Sequence, residues 1–553
     1  MARGVTALLA GWLLLGAAHI ALLPPWEGFD ETAHYSRVQQ IVTERRLPSR
    51  ETSRLSADIV GYAAVAPMPY DTAPRSSFTY ETFFAGDDAS RARARALVHD
   101  PPLAPRRFVP TEIVNWERKH PPLAYLALAP VFASTETLPL SWHLLALRLA
   151  AFVPAWLALA LVAWACLREA HQAHGAARAR WLWAAVGVAV WPACFPAWFA
   201  DLARLGNDGW AALVASVLWL VMARQRRDAA SVRTAVLLGA LLGVGWLTKA
   251  YFVAMTPAVA AWTMVAADQR QPWTRRARSA TVVALLGAGI GAWWYADNLQ
   301  PYLNVLLARR SGGVVAAVDA HFTTRAWLRG VAALVASAAW PGSWSFARPA
   351  YIWFVPLAVS VLLAAAAIVR GAWRAPRDDA RWIPVWLAGP VVAGLVYYVF
   401  VRVASTGEGR VAAGYYLHVL AGPLGAALGM GVAGPWARPA LRRTAGAFLA
   451  YALAFAAVVS WAQLLLFAGL LAKSDDKFYV VAGAGRLPAG FGVPEALHRL
   501  EVLALPWVAV PCWLAGVAVA AGALIALGRH LPAATPAHGA SERAGLRTTH
   551  AIR

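Results

Sequence analysis

Cysteine is scarce in this chain: Cys166, Cys194 and Cys512 are the only three, each inside an apolar run. That leaves neither a disulfide framework nor a cysteine-rich metal motif. Charge is scarce too, at 14% of residues, and acids are outnumbered, 29 against 50 lysines and arginines. A soluble chain of 553 residues needs far more polar surface. The sequence also lacks a repeat of fixed period and the matching halves with paired broken helices that mark many secondary transporters. The first apolar run, Val5 to Leu23, has only Arg3 before it and no small-residue cleavage site. It reads as a retained span rather than a removed signal peptide.

Apolar residues are abundant instead, at 59% of the chain, with a mean hydropathy of +0.50. Runs of 18 to 25 apolar residues recur from end to end, enough to cross a hydrocarbon core about 30 Å thick. The fold class expected is an all-α polytopic membrane protein. The net charge of +21 suggests a nucleic-acid partner, but its distribution argues against one. Twenty-three arginines fall at the N-terminus, in the C-terminal tail and in short loops around 168–180, 224–233, 270–278, 370–381 and 438–443. Six acids accompany them. The long loop from Pro24 to His120 is balanced, with 13 basic and 13 acidic residues. This is the positive-inside bias: short basic loops cytoplasmic, long loop outside.

With a cytoplasmic N-terminus, about twelve spans are expected near 5–23, 142–167, 181–200, 205–223, 234–248, 250–267, 280–296, 351–369, 383–401, 413–433, 444–472 and 504–527. Both termini then lie in the cytoplasm. Pro121 to Phe132 and Trp327 to Trp340 are too short to cross easily and read as interfacial or re-entrant helices beside two external regions, 24–120 and 297–350. Residues 1–527 form one transmembrane domain, and 528–553, rich in Ala with scattered Pro, Thr and Arg, read as a disordered tail.

The stretch PPWEGFDETAHY, residues 24–35, follows the first span. Pro24-Pro25 stops the helix, and Gly28 permits a tight turn. From Asp30 to about Arg46 the periodicity is that of an amphipathic helix on the outer interface. Asp30 is placed as its N-cap and Glu31 at the positive end of its dipole. The same groups could equally form a catalytic cluster.

Later segments favour the functional reading: WERKHPPLAYLALAP (116–130), LLALRLAAFVPAW (144–156), LARLGNDGWAAL (202–213), LTKAYF (247–252), GAWWYADNLQPYL (291–303), WPGSWSF (340–346) and GEGRVAAGYYLHVLAGP (407–423). An Asp-Glu with a nearby His after the first span, a His-Pro-Pro-Leu segment and an Arg-Leu opening the next span resemble the GT-C superfamily of membrane glycosyltransferases. Protein O-mannosyltransferases and lipid A aminoarabinose transferases share this arrangement. The later elements look most like a bacterial branch of predicted GT-C proteins, and the likeness runs in order to about residue 430. The last two spans match no known pattern.

The resemblance implies a GT-C-like bundle in a bacterial inner membrane. It also implies a polyprenyl-phosphate-linked sugar donor, surrounding membrane lipids, a glycan, lipid or protein acceptor, and no nucleic acid. By resemblance Asp30 takes the base or acceptor-orienting role, with Glu31 supporting it. His34 orients a carboxylate or is an ordinary interfacial residue. Arg148 contacts the lipid phosphate, pairs with the acidic motif, or snorkels to headgroups. Lys249 lies between two apolar runs away from the arginine crowds, as a phosphate ligand or an interfacial anchor. Arg410 with Glu408 is a similar candidate or a plain loop ion pair, and Asp208 faces the site or caps its span. His120 completes the substrate-binding set. No cofactor is implied with certainty. Adjacent acids can bind a divalent ion, as in oligosaccharyltransferases, but the ligand set is incomplete on paper. The lysine that O-mannosyltransferases carry soon after His-Pro-Pro-Leu is missing, so their acceptor geometry does not transfer. The competing reading is a lipid-linked sugar transporter or flippase.

Overall fold

The computed structural model describes residues 1–69, 72–266, 271–309, 312–340, 351–353, 355–409, 413–433, 439–473, 479–481 and 492–530. Arg410, most of the WPGSWSF segment and nearly all of the expected tail lie outside these residues. Helix α1 (Ala2–Leu22) leads to α2 (Glu31–Glu44), then to three short helices, α3 (Ala57–Ala63), α4 (Tyr80–Ala85) and α5 (Asp88–His99). Next come α6 (Leu123–Thr135), α7 (Leu140–Gln172), α8 (Gly175–Cys194), α9 (Ala197–Leu202), α10 (Asp208–Gln225), α11 (Val232–Trp246) and α12 (Tyr251–Val265). The chain continues through α13 (Trp273–Leu306), α14 (Val314–His321), α15 (Thr324–Ala339), α16 (Val355–Trp373), α17 (Ile383–Thr406), α18 (Ala421–Val432), α19 (Pro439–Phe467), α20 (Val493–Leu500) and α21 (Pro506–His530). Two short antiparallel pairings, β1 (Arg54–Ser56) with β2 (Pro110–Val114) and β3 (Leu471–Lys473) with β4 (Tyr479–Val481), are the strands among the described residues.

The protein is an all-α polytopic membrane protein. Most expected spans fall on one helix, but 181–200 is broken between α8 and α9, 413–433 begins in the 3-10 turn Gly414–Leu420, and 444–472 overruns α19 into β3. Eight segments among the described residues are long and apolar enough to cross. α8, α10, α11 and α12 are not among the eight. The last two are 15 residues each, about 22 Å at the rise of an α-helix, short of the hydrocarbon thickness. Their shared end, which carries Lys249, is drawn into the bundle, and the Lys249 side chain is buried.

Bundle packing depends on small residues. α8 crosses α18 so closely that a Cβ on Gly187 would stand 2.2 Å from the Gly425 carbonyl, an approach only glycine allows and typical of helices in lipid. The last helix is not peripheral: α21 packs along α1, and the Leu505 amide donates to the Ala21 carbonyl (2.9 Å). Arg180 of the α8 segment reaches Asp379 before α17 at 4.0 Å, so these two arginine-bearing turns share one end of the bundle.

At the opposite end, the long loop 24–120 folds into a layer with its own apolar core. Trp26, Tyr35, Val38, Tyr62 and Phe83 pack with Phe132 of α6, Leu144 of α7, Leu466 of α19 and Leu500 of α20. This corrects the expectation of an interfacial α2. Every residue from Glu31 to Ile41 is buried, because the loop returns across the helix: Asn115 Nδ2 donates to the Ala33 carbonyl (2.8 Å), and Gln40 Nε2 to the Thr52 carbonyl (3.2 Å).

Candidate active site

The corner between α1 and α2 is fixed by one guanidinium. Arg148, on α7, donates through Nε and Nη2 to Glu31 (2.9 and 2.7 Å) and through Nη1 and Nη2 to the carbonyls of Ile20 (3.3 Å), Leu23 (2.6 Å) and Pro24 (2.8 Å). The C-terminal carbonyls of α1, orphaned by its ending, are thereby satisfied. Arginine has five N–H donors, and all five are committed. Glu31 is equally occupied, since Oε1 also accepts from the Leu205 amide (2.9 Å) and the side chain is fully buried. Its carboxylate folds over Gly28, where a Cβ would stand 2.5 Å from Glu31 Cδ. The alternatives for Arg148 therefore resolve to pairing with the acidic motif: no N–H is left for a lipid phosphate. Glu31 holds Arg148 and the Leu205 amide.

Asp30 differs from its neighbour. Its backbone is left-handed, φ 58°, and its side chain makes no cap bond to α2. The helix-cap expectation fails for that reason. The carboxylate turns to the 3-10 turn Trp116–Lys119, where Oδ1 accepts from Trp116 Nε1 (2.6 Å). Glu31, Glu117, Asp201 and Asp208 are at most 6% exposed, whereas Asp30 keeps a partly open surface. Burial, with the charge of Glu117 nearby, pushes Asp30 up to about 6, against the opposing pull of Arg204, the Trp116 bond and Lys249. A non-glycine residue held in a sparsely populated backbone region beside a perturbed carboxylate is a feature concentrated at functional sites.

The His-Pro-Pro-Leu segment supplies the next wall. Asn207 Nδ2 donates to His120 Nδ1 (3.1 Å), which leaves Nε2–H to donate to Glu117 Oε2 (2.8 Å). His34 lies with its ring centroid 6.5 Å from that of His120, and its Nδ1 is bonded to the Tyr125 hydroxyl (2.9 Å). Burial pushes His34 down to about 3, so it stands as a neutral imidazole. Arg37, one turn further along α2, donates to the Glu117 carbonyl (2.7 Å) and packs under the Tyr125 and Trp294 rings at 4.7 and 5.3 Å.

A chain of alternating charges closes the site. Arg204 Nη2 donates to Asp201 and to Asp208, each at 3.1 Å, and Nη1 donates to the Phe29 carbonyl (2.8 Å). Lys249 Nζ donates to the other oxygen of Asp208. Among the described residues Asp208 is the single acceptor given to the three N–H donors of Lys249. Asn207 is the N-cap of α10 without a side-chain cap bond.

The structure thus brings Asp30, Glu31, His34, His120, Arg148, Asp208 and Lys249 to one end of the bundle. Glu408 lies apart, exposed at the end of α17 with no contact to the cluster among the described residues. Sequence reasoning missed Glu117, Asp201 and Arg204. The signal existed: Asp201, Arg204 and Asp208 are three and four residues apart in an otherwise apolar stretch, where ionisable residues are functional candidates. Among the described residues, no group of three His, Cys, Asp or Glu side chains is arranged to hold a metal ion.

Fold and cluster together define a membrane protein with an ionic site at one end of its helices. No family model matches the chain, and no curated protein matches it. A solved structure, the crystal structure of ArnT from Cupriavidus metallidurans in the apo state, is similar over 87% of this chain and 75% of that one, at 16% identity and a TM-score of 0.34. A likeness at that level establishes neither family nor activity.

Proposed function

We propose that the protein is an integral-membrane glycosyltransferase of the GT-C type that moves a sugar from a polyprenyl-phosphate donor to an acceptor on the external face of a bacterial inner membrane. The observation that carries this reading is the placement of Asp30. It is a partly open carboxylate turned off its helix, close enough to Arg204 and Lys249 for both to act on its charge. Glycosyl transfer needs that pairing. An acceptor hydroxyl or amine attacks the anomeric carbon and gives its proton to a carboxylate, while the bond to polyprenyl phosphate breaks and a cation stabilises the departing anion. Asp30 takes the first role and Lys249 the second. Glu31 and Arg148 fix the corner that aims Asp30, while Glu117, His120 and Asn207 hold the opposing turn. Arg410 remains a proposed second phosphate contact.

The test separates the two roles on purified protein in nanodiscs at fixed ionic strength. Asp30→Asn keeps the shape and loses the base, so sugar transfer stops while donor binding persists. Lys249→Met keeps the apolar stem and loses the ammonium. A charge-assisted contact is typically worth roughly 1.5–3 kcal/mol, so polyprenyl phosphate binding weakens by roughly 10- to 150-fold. Full transfer by Asp30→Asn, or unchanged lipid phosphate binding by Lys249→Met, removes the respective assignment.

A further inference from the structure

Between Asp30 and Lys249 runs a continuous set of aromatic rings that the reaction roles above do not use. Phe29, next to Asp30, lies parallel to Tyr415 with ring centroids 5.5 Å apart and planes 6° from parallel. Tyr415 meets Tyr416 at 4.3 Å, and Tyr416 meets Tyr251 at 5.5 Å. The Lys249 ammonium closes the far end, 5.2 Å from the Tyr251 ring centre and 5.4 Å from that of Tyr416. Arg204 covers the near end over Phe29 at 5.7 Å. Four separate parts of the chain contribute: the turn before α2, the loop before α10, the start of α12 and the 3-10 turn Gly414–Leu420. Phe29, Tyr251 and Tyr416 are half-buried and Tyr415 is buried.

We infer that the arc Phe29–Tyr415–Tyr416–Tyr251 is the platform on which the sugar ring of the donor lies, between the carboxylate that takes the acceptor's proton and the cation that meets the phosphate. This rests on the glycosyltransferase reading. A pyranose or furanose ring has an apolar C–H face and a polar rim. An aromatic ring offers a negative face to those C–H groups, and tyrosine adds a hydroxyl for the rim. An isoprenoid tail has no polar rim, and the aliphatic side chains that fill this bundle would serve it as well as three tyrosines do. The position also fits the bond order of the donor: acceptor, sugar, phosphate follow one another as Asp30, arc and Lys249 do.

The experiment compares purified wild type, Tyr416→Phe and Tyr416→Leu in nanodiscs, titrated with polyprenyl phosphate and with polyprenyl-phosphate-linked mannose, glucose and arabinose. Leucine keeps apolar bulk and loses the π face. The expected result is wild-type affinity of Tyr416→Leu for the bare lipid phosphate and a roughly 2- to 10-fold loss for the sugar-linked lipid that binds best, with Tyr416→Phe close to wild type. If Tyr416→Leu fails to fold, Tyr251→Leu provides the same comparison. An equal loss for bare and sugar-linked lipid assigns the arc to the lipid and overturns the proposal, as does no loss at all. Wild type that binds none of these lipids overturns the glycosyltransferase reading as well, which the variant results alone do not.

Discussion

Replacing Arg148 distinguishes a structural clamp from a ligand contact, because the two roles predict opposite readouts. The wild-type guanidinium makes five hydrogen bonds, two to Glu31 and three to carbonyls at the end of α1. Lysine brings the charge but only three donors on a point-like head, so it cannot reproduce the planar fork. Arg148→Met removes the charge and leaves Glu31 buried without its cation, a loss that costs about 3–5 kcal/mol in buried pairs. The assay is chemical unfolding in detergent alongside polyprenyl phosphate binding, with affinity expressed per folded molecule. Arg148→Met should lower the unfolding midpoint most and Arg148→Lys less. Adding Glu31→Gln to Arg148→Met should restore part of the loss, since the orphaned carboxylate is then neutral. Lipid phosphate affinity of the folded fraction should hold. A variant of normal stability that binds lipid phosphate poorly would show that Arg148 meets the ligand, and the donor-counting argument would be wrong.

Two further outcomes follow. Asp30 works as a base in its charged form and loses its proton near pH 6, so transfer should rise between about pH 5 and pH 7. Removing the neighbouring charge by Glu117→Gln should move that rise to lower pH, as a pH–rate profile would show. Reporter fusions after Asp100 should read external and those after Arg180, Arg276 and Arg442 cytoplasmic; an external Arg180 would mean that α6 crosses fully and the sidedness must be redrawn.

Much of this architecture could be read from sequence because lipid imposes a simple rule, a helix wherever an apolar run is long enough. Length and charge also set α6 and α15 apart as expected interfacial segments, which the reporter fusions test. What they could not show is burial created by distant segments. α2 has an amphipathic pattern, yet the loop before His120 covers its polar side, and no local periodicity reports that. Lys249 stood out because it lies between two apolar runs away from the arginine-rich turns. Arg204 went unnoticed, although its guanidinium joins two acids on either side of it. The choice for Arg148 needed coordinates: Glu31 is 117 positions away, and only counting its bonds shows that no donor is left.

The same geometry bears on the competing reading, a transporter of lipid-linked sugars. Such a protein needs polar groups near the bilayer midplane that open in turn to each side. Here Asp30, His120 and Lys249 lie just before α2, α6 and α12, Asp208 opens α10, and Tyr416 sits in the 3-10 turn before α18. Further along α1, α7, α8 and α10 the packing is apolar, with Trp12, Phe152, Leu159, Val188 and Leu218 in one core. No described charge in the cluster extends a path through that core, so an anionic lipid headgroup crossing there would shed its water without a partner, at heavy cost. Reconstituted into vesicles with a fluorescent polyprenyl-phosphate sugar, the protein should leave the lipid on the leaflet where it was added. It should consume the donor when the acceptor shares the compartment of the Asp30 end. Rapid equilibration across the bilayer, abolished by Lys249→Met and indifferent to acceptor, would favour transport and remove the base role from Asp30.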